Sequence, residues 1–115
     1  VAVGEVVGDV TGRMCLLVDD MIDTAGTICQ AAEALMEHGA KGVIAAATHP
    51  VLSGPAAQRL NEAPFQEVIV TNTLPLSESV SIPKLTVISV APLISQAIRA
   101  VFEDGSVASL FNGSN

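Results

Sequence analysis

The stretch Leu16-Leu17-Val18-Asp19-Asp20-Met21-Ile22-Asp23-Thr24-Ala25-Gly26-Thr27 decides the fold. It opens as a short apolar run, passes two adjacent carboxylates and a turn of small residues, and continues into a segment with helical periodicity, which reads as strand, loop, helix. That order makes an anion site. Gly26 is free to take a positive φ and Ala25 adds little bulk, so successive backbone N–H groups can converge on one phosphate while the helix dipole turns its positive end toward it. Asp19 and Asp20 fall where the strand is expected to end, and paired carboxylates there can accept hydrogen bonds from vicinal sugar hydroxyls or hold a hydrated Mg²⁺. The ligand chemistry implied is a phosphorylated sugar.

Outward from this stretch the chain alternates strand-like and helix-like blocks. Upstream, residues 1–7 are Val-rich and predict a strand entering the turn Gly8-Asp9-Val10-Thr11-Gly12, and residues 14–18 predict the next one. Downstream, Ile28, Ala31, Ala32, Leu35 and Met36 share one face of a helix, with Thr27 and Gln30 as a capping box and Gly39 as the stop. Residues 43–48 form a continuous apolar run, the pattern of a strand covered on both faces by helices. A short helix over 55–61, strands over 67–71 and 85–90, and a Pro- and Ser-rich loop over 74–83 follow. The last helix begins after Pro92 and carries a stripe of Leu93, Ile94, Ala97, Ile98, Val101 and Phe102. Such alternation predicts an α/β fold with a mostly parallel sheet, whose ligands bind outside the carboxyl ends of the strands.

Composition narrows the function. A chain of 115 residues, half of them hydrophobic, predicts one domain over 1–115. Twelve acidic against five basic residues give a net charge of −7, which excludes nucleic acid and anionic membrane as partners, since both require clustered Lys and Arg. Phosphate is not excluded, because backbone N–H groups can hold it. A triphosphate asks for more cations than Arg13, Lys41, Arg59, Lys84 and Arg99 provide, so self-sufficient catalysis is not expected. Two cysteines, Cys15 and Cys29, without a signal peptide predict reduced, buried thiols in a cytoplasmic setting. No apolar run approaches the roughly 20 residues of a membrane span. His38, in a last helical turn, predicts a partner for the helix C-terminus; His49 falls at a strand end and reads as structural. Neither has metal-ligand spacing with the cysteines, and both common nucleotide-binding glycine loops are missing.

The string from Val18 to Thr27 resembles the phosphoribosyl-pyrophosphate (PRPP) motif shared by type I phosphoribosyltransferases and ribose-phosphate pyrophosphokinases (PRPP synthetases). The motif alone leaves both open. Ala47-Thr48-His49-Pro50 with Ser53-Gly54-Pro55-Ala56, then Val70-Thr71-Asn72-Thr73-Leu74-Pro75, and finally Gly105-Ser106-Val107 with Leu110-Phe111, are similar in the same order to the synthetase C-terminal domain. The resemblance implies a type I phosphoribosyltransferase-like (Rossmann-like) fold with helices flanking the sheet. It implies pyrophosphoryl transfer from ATP to ribose 5-phosphate, giving PRPP and AMP with Mg²⁺. Asp19 and Asp20 would hold the ribose hydroxyls, and Asp23, Thr24, Ala25, Gly26 and Thr27 would cradle the 5′-phosphate. No catalytic residue is assigned to this chain, because the family's N-terminal domain and basic catalytic loop would lie upstream of Val1. The family also implies a homo-oligomer, a hexamer, with Ser106 and Phe111 at a regulatory site between subunits. A phosphoribosyltransferase and a non-catalytic synthetase-associated module remain the alternative readings.

Overall fold

Along the chain run β1 (Met14–Ile22), α1 (Gly26–Glu37), β2 (Gly42–Pro50), α2 (Ala56–Glu62), β3 (Phe65–Thr71), β4 (Leu85–Ile88) and α3 (Ala91–Phe102). This is a computed structural model, and it describes residues 6–103 together with Ala108 and Leu110. The strands form one parallel sheet in the order β1-β2-β3-β4. The α/β architecture expected from the alternation is therefore present.

The strand order dictates where the helices go. Crossovers between parallel strands are right-handed, so a chain that always adds its next strand on the same side returns each connection over the same face. One core results. Val43, Ala45 and Ala47 of β2 and Val68 and Val70 of β3 meet Ile28, Cys29 and Ala32 of α1 and Ala56 and Leu60 of α2 in a single buried cluster, which Ile82 from the β3–β4 loop joins. Alanines at alternate positions of β2 let α1 approach closely, and fully buried Leu60 fixes α2.

The opposite face departs from expectation. Along β2 the burial alternates, with Ile44 and Ala46 only partly covered, and Leu16 and Val18 of β1 are 61% and 74% exposed. Among the described residues, then, helices cover one face of β2 rather than both. The α3 stripe is also open: no residue of α3 is buried, and Ile94, Ile98, Val101 and Phe102 face solvent. The apolar run of β2 and the apolar stripe of α3 are both real, but a sequence pattern says which residues are apolar, not whether a partner covers them.

Two ends also move. β1 continues to Ile22, four residues past the expected limit of Val18, because residues 19, 21 and 22 stay in register with 47, 49 and 50 of β2. Asp19 and Asp20 thus lie inside the strand. At the start of α1 there is no capping box: the N-cap is Ala25, in the left-handed region at φ 67°, without a side-chain cap. Thr27 is already the second helical residue, too late to cap. The other end of α1 follows expectation. Gly39 takes φ 93° and its N–H reaches Met36 O at 3.0 Å, while His38 Nδ1 lies 2.7 Å from Ala34 O. The strand expected over 1–7 mostly precedes the described residues, and Val6 and Val7 are not in a strand. Ser106 and Phe111 also lie outside them.

Candidate functional site

The carboxyl ends of β1 and β2 deliver two loops that hold each other. Buried Ile22 ends β1 and starts a turn through Asp23 and Thr24 to Ala25, from which α1 departs. The turn after β2 docks against it. Leu52 N–H donates to Ile22 O at 2.9 Å, Ser53 N–H to Asp23 O at 3.0 Å, and the Ser53 hydroxyl donates to the Asp23 carboxylate. Leu52 reaches its partner with φ 51°, a second non-glycine residue in the left-handed region beside Ala25. From behind, Arg59 Nη1 of α2 donates to Thr24 O at 3.1 Å.

The expected residues Asp19, Asp23, Thr24, Ala25, Gly26 and Thr27 all line one cleft of about 160 Å³. Asp20, the next residue of β1, is not among the residues that line it. Asp19 also borders a second cleft, about 190 Å³, over Ala46, Thr48 and Thr71. It stands between the turn and the sheet's carboxyl end. Hydrogen bonding from Asp20, including Asp20 N–H to Asp19 Oδ1 at 2.7 Å, holds the Asp19 carboxyl below the usual carboxylate range. Asp19 is therefore an ionised, exposed acceptor at neutral pH. At the head of α1 the first-turn N–H groups have no intrahelical acceptors, and no side chain caps them.

Gly26 plays a different part from the one expected. It is helical, and Ala25 takes the positive φ instead. What Gly26 provides is space: a Cβ there would sit 3.2 Å from Arg59 Nη1. His49 forms a separate link, with Nδ1 2.8 Å from the Thr73 hydroxyl, which itself donates to Thr48 O at 3.2 Å. That fits its reading as a structural group. Sequence reasoning passed over Leu52, Ser53 and Arg59 as site residues. Ser53-Gly54 carries a turn signal that places a loop beside the site, but nothing local announces a left-handed leucine or the target of a distant arginine.

Among the described residues no group of three or more His, Cys, Asp or Glu side chains could hold a metal ion. The donor chemistry that is present, two exposed adjacent carboxylates, fits a Mg²⁺ that shares its coordination with ligand phosphates and water. No helix among the described residues is long and apolar enough to cross a membrane.

A family profile described as "Phosphoribosyl synthetase-associated domain" matches residues 3–112. The chain belongs to this family. Curated relatives named ribose-phosphate pyrophosphokinase include one from Streptomyces coelicolor, 62% identical over 97% of this chain and 35% of the relative. Another, from Mycobacterium tuberculosis, is 62% identical over 94% of this chain and 33% of the relative. A solved phosphoribosylpyrophosphate synthetase from Mycobacterium smegmatis superposes with a TM-score of 0.81 at 63% identity, covering 86% of this chain and 33% of that one. This phosphoribosyl synthetase-associated domain thus spans about a third of the length of the relatives it matches, and its parallel α/β sheet matches that third of the solved structure.

Proposed function

We propose that the protein carrying this chain is a ribose-phosphate pyrophosphokinase, and that residues 19–27 form its ribose 5-phosphate site within one C-terminal domain. The observation that carries the reading is the meeting of an ionised Asp19 with the uncapped head of α1, in a chain 62% identical to enzymes of that name. In the reaction the anomeric hydroxyl oxygen of ribose 5-phosphate bonds to the β-phosphorus of ATP. The bond from that phosphorus to the α–β bridging oxygen breaks, AMP leaves, and the hydroxyl proton is lost to solvent or base.

This chain's part is to hold and orient the acceptor. Asp19, with Asp20 beside it, accepts hydrogen bonds from the ribose hydroxyls. The N–H groups of the Ala25–Thr27 backbone and the hydroxyls of Thr24 and Thr27 take the 5′-phosphate, which the helix dipole favours. Asp23 lines the same turn, and one oxygen of its carboxylate is engaged by Ser53, which braces the loop around the 5′-phosphate. Mg²⁺, when bound, neutralises charge on the phosphates, and Asp19 and Asp20 are the carboxylates available to it here.

Donor activation comes from outside this chain. Lys84 donates to Ala63 O at 2.9 Å and Arg59 to Thr24 O at 3.1 Å, so two of the five basic residues are directed to backbone carbonyls. The assembly we infer is a cytoplasmic homo-oligomer, a hexamer as in the family, for which the open α3 stripe supplies apolar surface. The deciding assay incubates the full-length protein with radiolabelled ATP, ribose 5-phosphate and Mg²⁺. AMP and PRPP should form in equal amounts. PRPP consumption with a nucleobase, and none formed from ATP, would instead identify a phosphoribosyltransferase.

A further inference from the structure

We infer that Arg59 is a positioning residue for the phosphate turn, acting through the Thr24 carbonyl and the space left by Gly26. The inference rests on the sugar-phosphate reading of that turn and adds a residue 35 positions from its bond partner. Peptide geometry supplies the first step. No peptide bond among the described residues is cis, and in a trans peptide the carbonyl and the following N–H point in opposite directions. Arg59 draws the Thr24 carbonyl back toward α2, at 3.1 Å from Nη1. The Ala25 N–H is thereby turned the other way, toward the mouth of the turn. Ala25 in the left-handed region, followed by helical Gly26, then sets successive N–H groups in the concave arrangement that suits an anion.

Electrostatics adds to this geometry. A cation beside the head of a helix opposes the macrodipole, because both are positive. The Arg59 guanidinium against Gly26, at the first position of α1, adds positive potential there, while Glu33 and Glu62 line the same cleft and offset part of its charge. Here its charge adds to phosphate affinity while its hydrogen bond orients the receiving N–H groups. Leu60, the next residue, is fully buried and keeps α2 in place, so the guanidinium reaches the turn from a fixed base.

Gly26 gives an independent handle on the same contact. A Cβ at Gly26 would stand 3.2 Å from Nη1. Alanine suits the helical backbone at that position, so G26A keeps α1 and displaces only the flexible end of Arg59. The test uses the full-length protein carrying R59M, R59K, G26A and the G26A/R59M pair. It reads the KM for ribose 5-phosphate, the KM for ATP, kcat, and hydrogen exchange of the residue 25–27 amides. R59M should raise the KM for ribose 5-phosphate by about tenfold, leave the KM for ATP within about twofold, and speed exchange at those amides. R59K should recover part of the loss, since it restores a charge but not the planar fork. The pair should be no worse than R59M alone, because both changes remove one contact. A KM within about twofold of wild type for R59M, equal losses for both substrates, or strictly additive effects in the pair would overturn the role. If the wild-type protein made no PRPP, the pyrophosphokinase reading would fall, and exchange at 25–27 in the presence of inorganic phosphate would still judge Arg59: unaltered protection in R59M rejects it.

Discussion

Hydrogen bonding from Asp20, by its side chain first and then by its N–H on Asp19 Oδ1 at 2.7 Å, decides how the Asp19 carboxyl behaves. A carboxyl held below its ordinary range stays ionised as the pH falls through that range, so its contribution is present above and lost only as pH drops through the lowered value. Asp19→Asn should therefore weaken ribose 5-phosphate binding by about tenfold while changing inorganic phosphate binding little, since only the sugar hydroxyls need the acceptor. Calorimetric titration with both ligands checks this, and equal losses would make Asp19 structural. The wild-type advantage over Asp19→Asn should persist from pH 7 to pH 5. The two thiols differ as sharply. Cys29 is buried, and desolvation, helped by nearby Glu33, pushes its thiol up, whereas Cys15 is only half-buried. Iodoacetamide at neutral pH should modify Cys15 first and reach Cys29 only when the protein is unfolded, as mass spectrometry of the folded and denatured protein would reveal.

At the scale of elements, the β1–α1 turn stores its strain in Ala25 rather than in the glycine that follows. Ala25→Val puts a β-branched side chain in the left-handed region at a buried site, and should cost about 2 kcal/mol or more. Ala25→Gly should stay within about 1 kcal/mol of wild type, because relief of strain is offset by a more flexible unfolded chain. Thermal melts of both variants measure the difference. The turn also shows what a single sequence conveys. Strand, loop and helix around residues 16–36 were legible because apolar period and small residues are local signals. So was the gathering of Asp19, Asp23 and Thr24–Thr27 in one cleft, since contiguous residues at a strand–helix junction have nowhere else to go. The exact cap was not legible: Thr27 and Gln30 make a plausible box, but the chain turned two residues sooner. Leu52, Ser53 and Arg59 were hidden for a simpler reason, that their contacts cross about 30 residues and depend on the register of β1 against β2.

For the molecule as a whole, the one-sided sheet sets the expected behaviour of the 115-residue chain in isolation. Leu16, Val18 and the α3 stripe leave apolar surface open among the described residues, and such surface favours association. Expressed alone, the chain should self-associate, and Leu16→Lys should reduce this without loss of helix signal, because Leu16 lies outside the helix-covered core. Size exclusion and circular dichroism would check both points. The same chain should bind ribose 5-phosphate but show no sustained PRPP formation, since removing transition-state contacts to the donor commonly costs on the order of 10²-fold or more in rate. The strand order β1-β2-β3-β4 has one more consequence. It is also the order of synthesis, so among the described strands none has to enter a gap left by earlier ones. The cleft, its bracing serine and its arginine all belong to the β1–α1–β2–α2 unit. At ~5–20 residues per second the roughly fifty residues of this unit take about 2.5–10 seconds to make, and β3, β4 and α3, translated afterwards, attach to a receptor already shaped.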